Sequence, residues 1–147
     1  MAYISNTDIQ ERLGAQTYVQ LADDDGDAVA DVGVVNEARL GAEGEVNSYL
    51  ARRYRLPIDL AAHPELADLL ATITLDLVEF RLHTRRPPVS DAVLQKQHRA
   101  LQWLQRIADG TIDLPSLSEL PAGGLRGLQA GWTSADRTLS REELSDH

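Results

Sequence analysis

The tightest constraint on the fold lies between His63-Pro64-Glu65 and Arg85-Arg86-Pro87-Pro88. Proline at a first helical position, followed by an acid in the first turn, is a helix start. The paired prolines are a stop, because proline has no backbone donor and disfavours helical backbone at the residue before it. Between these marks Leu66, Leu69, Leu70, Ile73, Leu77 and Phe80 fall on one helical face, and Ala67, Ala71, Leu75, Val78 and Leu82 widen it. Such a helix, ending near Thr84, spans about 30 Å at 1.5 Å per residue. A helix apolar over so much of its circumference needs neighbours on several sides, which predicts the central helix of a bundle.

Other segments can supply those neighbours. Thr7-Asp8-Ile9-Gln10 has the form of a capping box, with Thr at the N-cap, and Gly14 is a natural stop, so a short helix is expected over 8–13. Residues 17–21 alternate loosely and fit either one more helical turn or a short extended piece. From an N-cap at Asp31, Val32, Val35, Ala38, Ala42, Val46, Tyr49 and Leu50 keep helical spacing as far as Tyr54. This long helix carries Gly33, Gly41 and Gly44, each costing about 1 kcal/mol against Ala in a helix interior. Close approach of another helix at Gly41 and Gly44 is one reason for glycine there, and a kink near Gly41 is the alternative. Ser90-Asp91 caps a last helix whose narrow stripe is Val93, Leu94, Leu101, Leu104, Ile107 and Ala108, with Trp103 at its edge and Gly110 as its stop. The expected fold class is all-α, a small bundle of about four main helices.

A chain of 147 residues has room for one core and a tail rather than two domains. Its apolar runs are broken before membrane-spanning length, and its first residues have neither a basic start nor a long apolar run. No membrane span and no secretory signal are therefore expected, and synthesis in the cytoplasm follows. The absence of cysteine excludes disulfides, thiolate metal sites and a cysteine nucleophile. A net charge of −9 weighs against a protein that grips nucleic acid, since phosphate binding needs clustered Lys and Arg. The positive clusters that exist, Arg52, Arg53 and Arg55, then Arg81, Arg85 and Arg86, follow helix ends, where cations complement the helix dipole.

No catalytic constellation emerges. Asp23-Asp24-Asp25-Gly26-Asp27 invites comparison with a calcium loop, but with Gly26 in the glycine position the two anchoring ligand positions fall on Leu21 and Val32. The stretch reads as an acidic turn into a helix. Asp76 and Glu79 are neighbours at i, i+3, yet nothing nearby supplies a nucleophile or ligand set, and a solvated face is expected. The histidines are scattered, with no His-x3-His pair, so no catalytic, cofactor or metal site is expected.

Residues 47–56, Asn-Ser-Tyr-Leu-Ala-Arg-Arg-Tyr-Arg-Leu, are followed by Pro57, which should end the long helix at Tyr54 or Arg55. Val46, Tyr49, Leu50 and Tyr54 fall on one side, with the arginines toward the other. Tyr and Arg are enriched where proteins meet, which makes Tyr49, Arg53 and Tyr54 candidate partner-binding residues; packing tyrosines beside solvated arginines are the plainer alternative. Beyond Thr111, six prolines and glycines, from Pro115 to Gly131, break helices, while leucines and Trp132 recur as they do not in an inert linker. Residues 115–147 are read as an extended C-terminal arm beside a helical domain, 1–114. The arm is expected to be ordered by another chain, with Leu128, Trp132, Leu139 and Leu144 as apolar anchors and Arg137 and Arg141 for charge complementarity. A tail folded back on its own bundle is the alternative.

The order of a short capped helix after Met-Ala-Tyr, an acidic Asp-x-Asp-Gly-Asp turn, a long helix ending in the 47–57 block, a helix ending Phe80-Arg81-Leu82-His83, and a closing Leu101-Gln102-Trp103-Leu104-x-x-Ile107-Ala108-x-Gly110 resembles the Mu-like prophage head-to-tail connector family of tailed bacteriophages. The likeness covers about residues 1 to 114, and its most specific part is 48–57 combined with 103–110. The ending Arg137-Thr138-Leu139-Ser140-Arg141-Glu142 is similar to one that many members carry. Gly41 and Gly44 depart from it, standing where members have helix formers.

What the resemblance implies is an adaptor that does no chemistry and takes no cofactor. Neighbouring copies would sit side by side in a dodecameric ring on the portal protein and receive a stopper or tail-terminator protein, in the neck of the virion. The arm or the tip of the second helix would make the contacts. Packaged DNA would pass through the lumen without specific binding, because an acidic wall repels phosphates. The rivals are a small acidic helical regulatory or DNA-linked phage protein, and an enzyme with a metal site on Asp23, Asp25 and Asp27.

Overall fold

In a computed structural model, the structure describes residues 2–114, 117 and 119. The first helix, α1 (Asn6–Leu13), opens on a capping box set earlier than Thr7. The Ser5 hydroxyl accepts from the Asp8 N–H, and the Asp8 carboxylate accepts from the Ser5 N–H at 2.7 Å. Both registers fit the pattern, but an ionised Asp is a stronger acceptor than Gln, which favours the Ser5 register. Gly14, at φ 82°, ends α1 and starts α2 (Ala15–Ala22), so the undecided 17–21 stretch is helical. Asp31 leads into α3 (Val32–Leu50), and His63 into α4 (Pro64–Thr84), whose start and end agree with the proline marks. Ser90 accepts from the Val93 N–H to cap α5 (Asp91–Asp109), and Gly110 at φ 86° stops it in the left-handed conformation.

Among the described residues the fold is thus an all-α bundle of five helices. The central place expected for α4 is the one it has: it packs against each of the other four helices. It buries Leu66, Leu70, Ile73, Leu77, Val78 and Leu82 there. α3 and α5 close a three-helix layer with it, and the α1–α2 pair lies over α3 and α4. Val35, Ala42, Val46 and Leu50 of α3 share the core with Leu104 and Ile107 of α5. Each large side chain buried here stabilises by roughly 1.5–3 kcal/mol relative to leaving it in water. No described helix is long and apolar enough to cross a membrane.

Four expectations change. α3 ends at Leu50 rather than at Tyr54 or Arg55; the next residues tighten, so that the Arg53 and Tyr54 N–H groups both bond to the Leu50 carbonyl. Val32 is 62 % exposed, because the buried face of α3 begins only a turn later, at Val35. α3 runs unbroken through Gly41, where the approaching group is a side chain of α4: a Cβ there would stand 2.8 Å from Arg81 Nη1, whereas at Gly44 it would meet nothing within 4 Å. Asp76 and Glu79 do not form a solvated face. Their side chains are only 15 % and 11 % exposed; Arg12 binds both, and Lys96 stands 3.2 Å from Glu79, tying α1 and α5 to α4.

Candidate functional site

Where α3 stops, Arg53 and Tyr54 join parts of the chain that are far apart in sequence. The tight turn after Leu50 directs Tyr54 inward, where it is 2 % exposed and its hydroxyl accepts the Leu114 N–H at 2.9 Å. Its backbone pairs in a lone antiparallel bridge with Glu119. Arg53 Nη1 donates to the carbonyls of Ile107 and Ile112, at 3.3 and 3.2 Å, and Nη2 donates to the carboxylates of Asp113, at 2.8 Å, and Glu119. The guanidinium also lies 5.3 Å from the centre of the Tyr54 ring, within cation–π range. Its hydrogen bond to Asp113, foremost, holds the Arg53 pKa above its ordinary value. The planar fork of arginine suits this work, since one side chain meets four acceptors. Such a joint acts mechanically: it fixes the direction in which the chain leaves α5.

The candidate partner-binding residues are therefore placed unequally. Arg53 and Tyr54 are engaged inside the chain. Tyr49 is half-buried against the core and keeps part of its surface in solvent, with the Arg52 guanidinium 5.7 Å from its ring centre. Leu128, Trp132, Arg137, Leu139, Arg141 and Leu144 lie outside the described residues. Leu114 is buried and Leu117 half-buried against the same core, so contacts with the bundle continue past residue 114.

The acidic turn is a self-capped loop. Asp23 accepts from the Gly26 and Ala28 N–H groups at 2.8 and 2.9 Å, Asp25 from Asp27, and Asp27 from Val29. Carboxylate oxygens of Asp23, Asp25 and Asp27 come within 4.8 Å of one another, a set that could hold a metal ion on distance alone. Asp25 sits above its ordinary pKa: the Asp27 N–H pulls it down, but the Asp23 and Asp27 carboxylates outweigh that pull. Arg85 donates to the Leu21 carbonyl and to both Asp24 carboxylate oxygens, and Arg86 to the Asp23 carbonyl at 2.7 Å. These arginines clasp the loop, and Arg81 pairs with Glu45 at 3.0 Å, so their work is more specific than complementing a helix dipole.

Sequence reasoning missed the polar seam among α1, α4 and α5. Burial, foremost, raises the Asp76 carboxyl above its ordinary value against the opposing pull of Arg12. A signal did exist, because Glu79 lies between Val78 and Phe80 on the widened apolar face of α4, but nothing local names Arg12 and Lys96 as its partners.

Against this geometry the family comparison is decisive. A family model described as "Bacteriophage Mu, Gp36" matches residues 3–124, well over half of the chain. The chain belongs to the bacteriophage Mu Gp36 family. No match is found among the curated proteins. The Gp36 match runs through all five described helices and past Glu119, so it includes the whole Arg53–Tyr54 joint. It stops short of Leu128 and of every other arm anchor.

Proposed function

We propose that this Gp36-family chain is a structural subunit of the phage head-to-tail connector. It is an adaptor that docks on the portal protein beside copies of itself in a ring and receives a stopper or tail-terminator protein in the virion neck, with no catalytic role. The observation that carries the reading, given a phage family, is the Arg53–Tyr54 joint. A buried hydroxyl and a guanidinium that donates to four acceptors hold the point from which the C-terminal stretch departs. A body built to aim a segment suits a part that must reach a partner, and a fixed departure point lowers the ordering cost of binding. A net charge of −9 suits a wall that packaged DNA passes without sticking.

The test mixes portal rings of the same phage with the full chain or with a chain ending at Gly124, which retains Glu119, and weighs the products by light scattering. The full chain is expected to add a saturating ring's worth of mass and the shortened chain little. If neither adds mass, the connector reading fails.

A further inference from the structure

Helix α5 carries a basic face among the described residues. Residues 92–108 include Lys96, Arg99 and Arg106 but no acid, in a chain of net charge −9. Lys96 is committed to Glu79. Arg99 and Arg106 have no ion-pair partner among the described residues, and they flank Trp103 at i−4 and i+3, on one stripe of the helix. Trp103 is 42 % exposed. A large ring between two cations is the composition of an interface centre rather than of a solvated face.

The outer face of α3 and the loop before it have the opposite character. Leu40 is 60 % exposed, and Glu37 is exposed beside it. The loop leading into α3 contains Asp23, Asp25, Asp27 and Asp31, besides Asp24, which is committed to Arg85. Gly33 and Gly44 share the Leu40 stripe and would meet nothing on gaining a Cβ, so the backbone around Leu40 is open to a bulky side chain.

We propose that these two faces meet between copies of the chain, the Arg99–Trp103–Arg106 stripe of one docking on the Glu37–Leu40 face and acidic loop of the next. The Trp ring covers Leu40, and the arginines face Glu37 and Asp25. Because the surfaces differ, the contact is heterologous and leaves one face of each kind free on every growing assembly, the condition for closing a ring. A symmetric contact through α5 would set arginine against arginine. The inference rests on the connector reading for its setting and assigns the residues of the contact between ring neighbours.

The lack of cysteine allows a clean test. Gly44→Cys and Gln102→Cys, two exposed positions beside the proposed anchors, are made in separate full-length chains. They are mixed with a short bismaleimide, both free and on portal rings, after circular dichroism has shown each chain folded. The mixture is expected to give covalent dimer about tenfold above either chain alone, and R99E/R106E in the Gln102→Cys chain to remove that excess, since it sets like charges against each other. D25K/E37K in the Gly44→Cys partner is expected to restore it. Equal yields from a single chain and from the mixture, no mixed product in either setting, or charge reversal without effect would each overturn the contact. Portal rings that gain mass from the chains while no mixed product forms overturn the contact and leave the connector reading standing. Mixed product between free chains that add no mass to portal rings supports the contact and overturns that reading.

Discussion

Tyr54→Phe isolates one of the bonds that anchor the exit from α5. Phe keeps the buried ring and removes only the oxygen that accepts the Leu114 N–H at 2.9 Å. Leu114 is itself 5 % exposed, so water does not readily replace that oxygen. A buried donor left without an acceptor costs about 1–3 kcal/mol. For a domain of this size each kcal/mol moves Tm by roughly 4 °C, so a fall of about 4–12 °C is expected. The assay is a thermal melt followed by circular dichroism, paired with amide exchange at Leu114, which should lose protection. Tyr49→Phe is the control. That ring is half-buried, and no described residue bonds its hydroxyl, so its change should stay within about 0.5 kcal/mol. A Tyr54→Phe chain that melts within about 1 °C of the parent, with Leu114 protection intact, would refute the reasoning.

Two further predictions follow from the structure. The Tyr3 hydroxyl is pushed up to about 12 by burial, foremost, and by the Glu43 charge. The unfolded chain ionises near 10 and the folded chain does not, so this contribution is complete below pH 10 and lost as pH rises through 12, about 2–3 kcal/mol in all; Tyr3→Phe should flatten that alkaline fall in urea midpoints, and a parallel fall would exclude Tyr3 as its source. Gly44→Ala should stabilise the free chain by about 1 kcal/mol, since a Cβ there meets nothing. Gly41→Ala should gain clearly less, because its Cβ would press on Arg81, which pairs with Glu45 at 3.0 Å; equal gains in denaturant melts would show that Arg81 moves aside freely.

Local signals were legible wherever their physics is local. Pro64 and Pro87 bounded α4, Ser90 and Gly110 bounded α5, and the breadth of the apolar face on α4 placed it at the centre. The signals misled where two local solutions compete. Thr7 and Ser5 both fit a capping box, and Pro57 sets an outer limit for α3 but does not say that the chain tightens after Leu50. Of the candidate site, the block 47–56 was found from composition, but the use to which its residues are put was not.

The arginines divide what the sequence determined from what the tertiary structure decided. The existence of α1, α3, α4 and α5, their order and most of their apolar faces depend on neighbours within a few residues and on the chemistry of proline, glycine and capping side chains, so the chain alone determined them. Arg12, Arg53 and Arg85 look in sequence like cations near helix ends. Folded, they reach Asp76, Asp113 and Asp24, which are 64, 60 and 61 residues away in sequence. A charge carries no local record of its partner. Only the packing of α4 against α1 and α2, and of α3 against α5, brings those groups within hydrogen-bond distance and partly out of water, where the choice of partner acquires a free energy.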